Sequence, residues 1–563
     1  MTDGRLRVLI LGGYGTFGGR LARLLAHEPR LTLLIAGRSQ AKAETFCRAL
    51  GGAAETVPLA FDRDGDVAAG IAAAGAEIVV DATGPFQAYG DAPYRVVEAC
   101  IAAGADYLDL ADGADFVEGI AGFDDAAKAR GVAVLSGVSS FPVLTAAVVR
   151  HLARGLTQVE SIEGGIAPSP YAGVGLNVIR AIASYAGREV RLTRDGAPAT
   201  GRALVETRRW TIAPPGRLPL RSTRFSLVDV PDLRLLPALW PGLSEIWIGA
   251  GPVPPVLHRG LNALARLVRI GFVPTLRPLA PLFHAAINRL RWGEHRGGMI
   301  VIIRGCDAAG QPVERSWHML AEGDDGPLIP SMAAAAVILR RLQGLRPAPG
   351  AYAATEVLQL ADYQPLFAGR AIVSGCREVT AETARQPLYR RMLGEAWAEV
   401  PEPVRAMHDL SGDKRAAGRA EVERGTGLMA RLAAAMIGFP AAGRDVPVEV
   451  AFQVRDGVET WRRRFAGRAF SSTQQAGHGR SEGLLEERFG PVRVGLALVL
   501  DGDRLRLMVR RWSLLGLPLP LALAPGGEAW ETATDGRFRF HVEIRHPWTG
   551  LIVRYRGWLA PEG

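Results

Sequence analysis

The sequence predicts an α/β protein: an N-terminal Rossmann domain with a doubly wound parallel sheet, an α+β middle domain, and an antiparallel β-rich C-terminal domain. Three observations carry that reading. An apolar run at residues 7–11 (RVLIL) leads straight into a glycine-rich loop and then a helical pattern. Strand-length apolar runs alternate with helical stretches as far as residue 150. Beyond Pro447, two-residue alternation and Asp-Gly turns take over.

A chain of 563 residues exceeds a single core. We place the domains at 1–150, 151–370 and 385–563. With 48% hydrophobic and 22% charged residues the composition is globular. The four cysteines, Cys47, Cys100, Cys306 and Cys376, lack metal-ligand spacing. They argue against a disulfide framework or a metal site and suit a reducing cytoplasm. The formal charge is +9, yet of the 66 basic residues only Lys42, Lys128 and Lys414 are lysine. This arginine excess, beside 67 glycines, is the coding bias of a GC-rich genome, and no nucleic-acid partner is expected. Neither a leader nor a membrane span is expected.

Taken in order, residues 7–11 form the first strand. The loop that follows, Gly12-Gly13-Tyr14-Gly15-Thr16-Phe17-Gly18-Gly19, fills a GxGxxG pattern with Gly13, Gly15 and Gly18. The first glycine is read as the tight turn, the second as the close approach of a diphosphate, and the third as helix–strand packing. The helix N-terminus then offers unpaired N–H groups to phosphate. Residues 31–36 are the second strand, ending in Gly37-Arg38-Ser39. An acidic residue there would bind a ribose 2′-hydroxyl. Arg38, Ser39 and Lys42 instead suit a 2′-phosphate, so NADP is the expected cofactor. The third strand, 56–61, carries Pro58, which fits a sheet edge, and Asp62 follows where adenine would lie. Strand four, 77–81, runs into Thr83, Gly84, Pro85 and Phe86, facing the nicotinamide half. Strands five and six are 107–109 and 132–135.

The segments GGYGTFGGRLA, AGRS, VVDATGPFQAYG, ADYLDLADG and SGVSSFPVL resemble the saccharopine dehydrogenase-like family of NADP-binding oxidoreductases. That family includes saccharopine reductases and trans-acting enoyl reductases. The likeness covers residues 5–150 well and 151–370 loosely. It implies cofactor contacts at Gly13, Tyr14, Gly15, Thr16, Phe17, Gly18, Arg38, Thr83, Gly84 and Pro85, and a substrate domain after strand six. A lysine acid or base in that domain is excluded, because no lysine lies between Lys128 and Lys414. The chain has Ser139-Ser140-Phe141-Pro142 where saccharopine reductases carry Asp-Pro-Gly, which argues against lysine metabolism.

In the middle domain, 204–212, 221–228, 298–304 and 313–321 read as strands. Residues 332–342 read as a helix capped by Ser331. Residues 256–292 interleave leucines with six arginines around Pro274. Two readings stand for them: amphipathic helices packed on the substrate domain, or a peripheral membrane contact or lid. From Pro447 on, six or more antiparallel strands curve, wrapped round a helix, with turns at Asp456-Gly457, Asp501-Gly502 and Asp535-Gly536. This part resembles a domain of unknown function fused behind such reductase-like halves. A concave apolar ligand face and an oligomer surface are its open readings.

Proton donors are expected at the C-terminal ends of strands four and five: Tyr107, Asp109 and Asp112, with Tyr94 and His318 as outsiders. Turn formation is the competing explanation for both aspartates. The expected function is NADP(H)-dependent hydride transfer to or from a C=C or C=N bond of a bulky apolar substrate. The alternative is a non-catalytic NADP(H) sensor or a lipid- or carrier-binding protein. A homodimer and a cytoplasmic location, with membrane association through 256–292, complete the expectations.

Overall fold

The computed structural model describes residues 4–252 and 255–562, without the side chain of Ala88. The chain divides into two compact units, each built from several segments. The first comprises Met1–Arg208, Arg224–Gln311 and Leu320–Val373. The second comprises Arg209–Thr223, Pro312–Met319 and Ser374–Gly563.

In the first unit, β1 (Leu6–Leu11), β2 (Leu31–Gly37), β3 (Glu55–Ala60), β4 (Ile78–Asp81), β5 (Asp106–Asp109) and β6 (Ala133–Ser136) form a parallel sheet. The order is 3-2-1-4-5-6, as the sequence predicts, with Pro58 on the edge strand β3. A seventh strand, Gly350–Ala353, pairs in parallel with β6. It comes from 214 residues beyond the end of β6, so no local pattern announced it. The central strands are apolar on both faces: Val8, Leu9, Ile10 and Leu33 are wholly buried because helices cover both sides. Helix α1 (Thr16–Leu25) packs Leu21 and Leu25 inward.

A second, mixed sheet in this unit is centred on β7 (Leu156–Ala167). That strand pairs in parallel with Glu245–Ala250 and antiparallel with Arg296–Asp307. After it, Gly175 opens the helix Leu176–Tyr185, an element not anticipated from sequence. Helix Ile329–Leu342 begins before Ser331, which is therefore not its cap. The Ser331 hydroxyl instead donates to the Phe17 carbonyl at 3.1 Å and ties this helix to the first turn of α1. Residues 256–292 form the helices Pro255–Arg269 and Ala280–Arg289. The first buries His258 and Asn262, which bond Ser226 and the Leu204 carbonyl, while Val256, Ile270 and Phe272 stay exposed. No described helix is long and apolar enough to cross a membrane.

The second unit holds the antiparallel C-terminal domain. Ten strands between Lys414 and Pro561 pair around a closed ring, shut by Val492–Asp501 against Arg504–Leu514. Closure removes the free edges that a curved sheet would leave. Alternation sets the faces: Val448, Val450 and Phe452 point inward beside outward Glu449. At Asp456-Gly457 and Asp535-Gly536 both residues have positive φ, the tight hairpin geometry expected there. The helix expected inside the sheet is the Leu388–His408 region. Tyr389 stacks on His408 at 3.7 Å, and His408 bonds Glu531 at 2.5 Å, all inside the barrel.

Candidate functional site

The loop between β1 and α1 is shaped by glycines whose roles differ from the expected ones. Gly12, not Gly13, makes the left-handed turn, at φ 71°. Gly13 is squeezed instead: a Cβ there would lie 2.8 Å from the Ile10 carbonyl oxygen and 3.0 Å from Ile35. A Cβ on Gly18 would collide with the Gly12 carbonyl, so this residue sets the helix–loop approach as predicted. Gly15 is the N-cap of α1 in extended geometry, φ −78° and ψ −173°. No side chain caps the helix, and its first turn holds no acidic residue. Its leading N–H groups and positive dipole end are therefore left for an anion.

That helix end opens on a cleft of about 630 Å³. Of the expected cofactor residues, Tyr14, Gly15, Thr16, Phe17, Arg38, Asp62, Thr83, Gly84, Pro85 and Phe86 line it. Gly13 and Gly18 sit behind, shaping the loop. The Tyr14 ring lies against Gly37, and its hydroxyl accepts the Ser39 N–H at 3.0 Å. Ser39 Oγ caps the next helix by accepting the Lys42 N–H at 3.4 Å. Ser39 and Lys42 thus stand outside the cleft wall, the first occupied by the helix it starts and the second exposed on it. Arg38 is left as the exposed guanidinium on the wall. If it reads a 2′-phosphate, Arg38→Ala weakens NADPH binding by about 2 kcal/mol, roughly 30-fold, and leaves NADH binding unchanged. Paired fluorescence titrations check this; equal losses for both coenzymes count against it.

Sequence reasoning missed Arg63 and Tyr89. The buried Arg63 lies over the Tyr89 ring at 3.3 Å and donates to the Pro93 carbonyl at 2.7 Å. Tyr89 and Thr83 converge on Asp81, the buried last residue of β4. The Thr83 hydroxyl donates to it at 2.5 Å, and the Tyr89 hydroxyl lies 3.2 Å away. Burial pushes the Asp81 carboxyl up, while Thr83 and then Arg63 pull it back. This knot holds the 83–89 loop against the sheet. Nothing local marked these residues, since they meet only when the β3 and β4 loops come side by side.

The expected proton donors separate. Tyr107 is buried and its hydroxyl has no hydrogen-bond partner among the described residues. Asp109 is also wholly buried. One carboxyl oxygen accepts the Ala111 and Gly137 N–H groups at 2.9 and 2.7 Å. Neither residue lines the cleft, and Asp109 serves the turn-forming role that was its competing explanation. Asp112 alone reaches the cleft wall, where Gln87 Nε2 donates to it at 2.9 Å. It is open to water yet ringed by protein, and this desolvation raises its carboxyl. His318 lines neither cavity. It accepts the Ala213 N–H at 3.2 Å, and burial lowers its pKa to about 3, so it is neutral.

A second cavity of about 520 Å³ adjoins the cleft, and Phe86 and Tyr89 line both. The helix Leu176–Tyr185 spans the two: Leu176, Asn177, Val178 and Ala181 line the cleft, while Ser184 and Tyr185 line the second cavity. Charged side chains are frequent there, including Asp115, Arg191, Asp229 and Arg234. The Tyr185 hydroxyl has no hydrogen-bond partner among the described residues. Burial raises its pKa, as do Asp112 and then Asp229, so it stays protonated. Burial likewise raises Asp229. Tyr94 lines this cavity with its hydroxyl donated to the Phe116 carbonyl at 3.0 Å.

Comparison with known proteins separates the two ends of the chain. Residues 8–135 match the saccharopine dehydrogenase NADP binding domain, and residues 400–559 match a domain of unknown function (DUF4166). No curated protein matches. Similar solved structures include apo saccharopine dehydrogenase (L-Glu forming) from Saccharomyces cerevisiae, at 11% identity and TM-score 0.47, covering 66% of this chain and 99% of that one. Biliverdin reductase from Synechocystis sp. PCC 6803, in complex with biliverdin and NADP+, is 13% identical with a TM-score of 0.28, covering 63% and 94%. GenD2 from gentamicin A biosynthesis, in complex with NAD, is 14% identical with a TM-score of 0.26, covering 56% and 73%.

Proposed function

From a first domain whose residues 8–135 form a saccharopine dehydrogenase NADP binding domain, we propose that the chain is an NADP(H)-dependent oxidoreductase acting on a C=N bond, or the amine it becomes, in a polar substrate. The observation that carries this is the second cavity, with its charged side chains, adjoining the cleft at Phe86 and Tyr89.

The cleft fits the cofactor on this chain's own terms. The uncapped helix end would hold the diphosphate, the missing Gly15 side chain would leave it room, and Arg38 on the cleft wall would read a 2′-phosphate. When bound, the coenzyme supplies or accepts the hydride. The protein's part is to orient the carbon and manage the proton. As hydride reaches the imine carbon, the C=N π pair moves to nitrogen and takes a proton. Asp112, whose carboxyl desolvation raises and Gln87 orients, would be the donor. Tyr185, kept protonated by burial, would hydrogen-bond the same nitrogen from the second cavity, which Asp229 also lines. Cationic character belongs to an imine and not to an isolated C=C bond, and carboxyl groups beside the reacting centre favour it. The sequence led us to expect a bulky apolar substrate; the second cavity sets Asp115, Glu189, Arg191, Asp229 and Arg234 beside an aromatic wall of Phe86, Tyr94 and Phe116, and these charged groups favour a substrate with a polar part.

The test is NADPH oxidation against cyclic imines and amine–ketone mixtures, with enoyl thioesters in parallel. We expect turnover with imines and a roughly 100-fold lower kcat in Asp112→Asn at unchanged NADPH affinity. Tyr185→Phe should act mainly on KM. Enoyl turnover with silence on every imine would overturn the C=N assignment. NADPH binding with no turnover at all would overturn catalysis.

A further inference from the structure

The C-terminal barrel carries an inverted helix. Leu428–Ile437 turns its small residues inward, with Ala430 and Ala434 fully buried. Its large apolar residues face out: Leu428, Met429, Leu432 and Met436 are 57–72% exposed. A helix of a water-facing domain normally does the reverse.

Strand register shows what else shares that end. The helix follows the strand Lys414–Arg424, whose last residue, Arg424, pairs with Val553 near the start of Gly550–Pro561. The turn just before that last strand bears Trp548, 77% exposed, because His546 pairs with Gly550 across it. The strand Arg504–Leu514 also ends here, since Arg506 pairs with Trp530 in the neighbouring strand and Leu514 lies further toward the same rim. Its turn exposes Leu515 and Leu517. Seven of the sixteen large apolar side chains exposed among the described residues thus gather on one end of one domain. Such a concentration marks an interaction surface.

Charge indicates the partner. Arg424, Arg431 and Arg468 lie close enough at this end for Arg431 and Arg468 to lower the Arg424 pKa, after burial. Arg424 spends one nitrogen on the Phe439 and Pro440 carbonyls, and Arg431 and Arg468 are exposed. No carboxylate lies within 4.0 Å of any of the three among the described residues. The hairpin turns of the opposite end carry Asp456, Asp501, Asp503 and Asp535. The first end is therefore cationic and apolar, whereas the opposite turns set those aspartates beside Arg455, Arg504 and Arg537. A second copy meeting this end face to face would bring the same arginines into opposition.

We propose that this end of the barrel docks on an anionic lipid bilayer. The Leu428–Ile437 helix lies in the interface, Trp548 and Leu515 insert beside it, and the arginines meet the headgroups. Neutral lipid alone would give the apolar contribution without the arginine one.

The test uses the full chain in flotation with phosphatidylcholine vesicles, with and without phosphatidylglycerol. We expect recovery with the anionic vesicles, weakened by salt. Leu432→Glu with Met436→Glu should lower it at least about tenfold, and Arg431→Glu with Arg468→Glu should abolish the anionic preference. All four positions are exposed, so thermal melts should be unchanged. No flotation, or equal flotation of wild type and both variants, would overturn the proposal. A dimer in solution that the same substitutions dissolve would overturn it in favour of self-association.

Discussion

Gly15→Val should lose NADPH affinity by about 1,000-fold, near 4 kcal/mol, while the protein stays folded. Gly15 already sits at φ −78° and ψ −173°, a conformation open to any residue. Its Cβ would lie 2.9 Å from the Gly12 carbonyl oxygen, so the loop must give way slightly there, and would otherwise face the cleft. The branched side chain would therefore stand where the diphosphate approaches the first N–H groups of α1. Two charge-assisted hydrogen bonds lost at roughly 1.5–3 kcal/mol each account for the size. Gly18→Val is the informative contrast. Its Cβ collides with the Gly12 backbone, so it should lower the melting temperature as well as binding. Near-normal affinity in Gly15→Val would show that the coenzyme does not lie across this helix end.

The second large effect concerns pH. Asp109 and Asp232 are both wholly buried. Burial raises each carboxyl to about 7, against the pull of the Gly137 N–H on Asp109 and of Thr145 on Asp232. Neither Asp232 oxygen meets a well-formed hydrogen bond. An acid raised on folding holds its proton in the native state when the unfolded chain has released it. The stabilisation is complete below the unfolded pKa near 3.9 and is lost as pH rises through about 7. Each residue can contribute on the order of 4 kcal/mol across that window. Asp232→Asn, neutral at every pH, should match wild type at pH 4 and be the more stable protein at pH 7.5. Denaturant unfolding at the two pH values measures it, and an equal difference at both would dismiss the titration. Asp109→Asn keeps an oxygen for Ala111 and Gly137 and should be mild. Asp109→Ala strands both N–H groups and should cost about 4 kcal/mol.

What the residues determined alone was whatever depends on short-range pattern. Apolar runs between glycine and helical segments fixed the six parallel strands and their order, because a buried strand needs both faces apolar and a crossover needs a helix. That Arg38 and the 83–86 loop would line a cleft was legible because each follows a strand whose C-terminal end opens on the crevice of such a sheet. The Asp-Gly turns were legible because few pairs tolerate positive φ twice. Only the tertiary structure decided the rest. The strand at 350–353 joins β6 across more than two hundred residues. Arg63, Tyr89 and Tyr185 become neighbours of the cleft only through loops and a helix distant in sequence. Barrel closure depends on which edges meet, and the fates of Asp109 and Asp112, three residues apart, diverge because one carboxyl points into the sheet and the other into the cleft. Periodicity reports which face a residue takes, whereas burial, charge partners and cavities are properties of what that face finally meets.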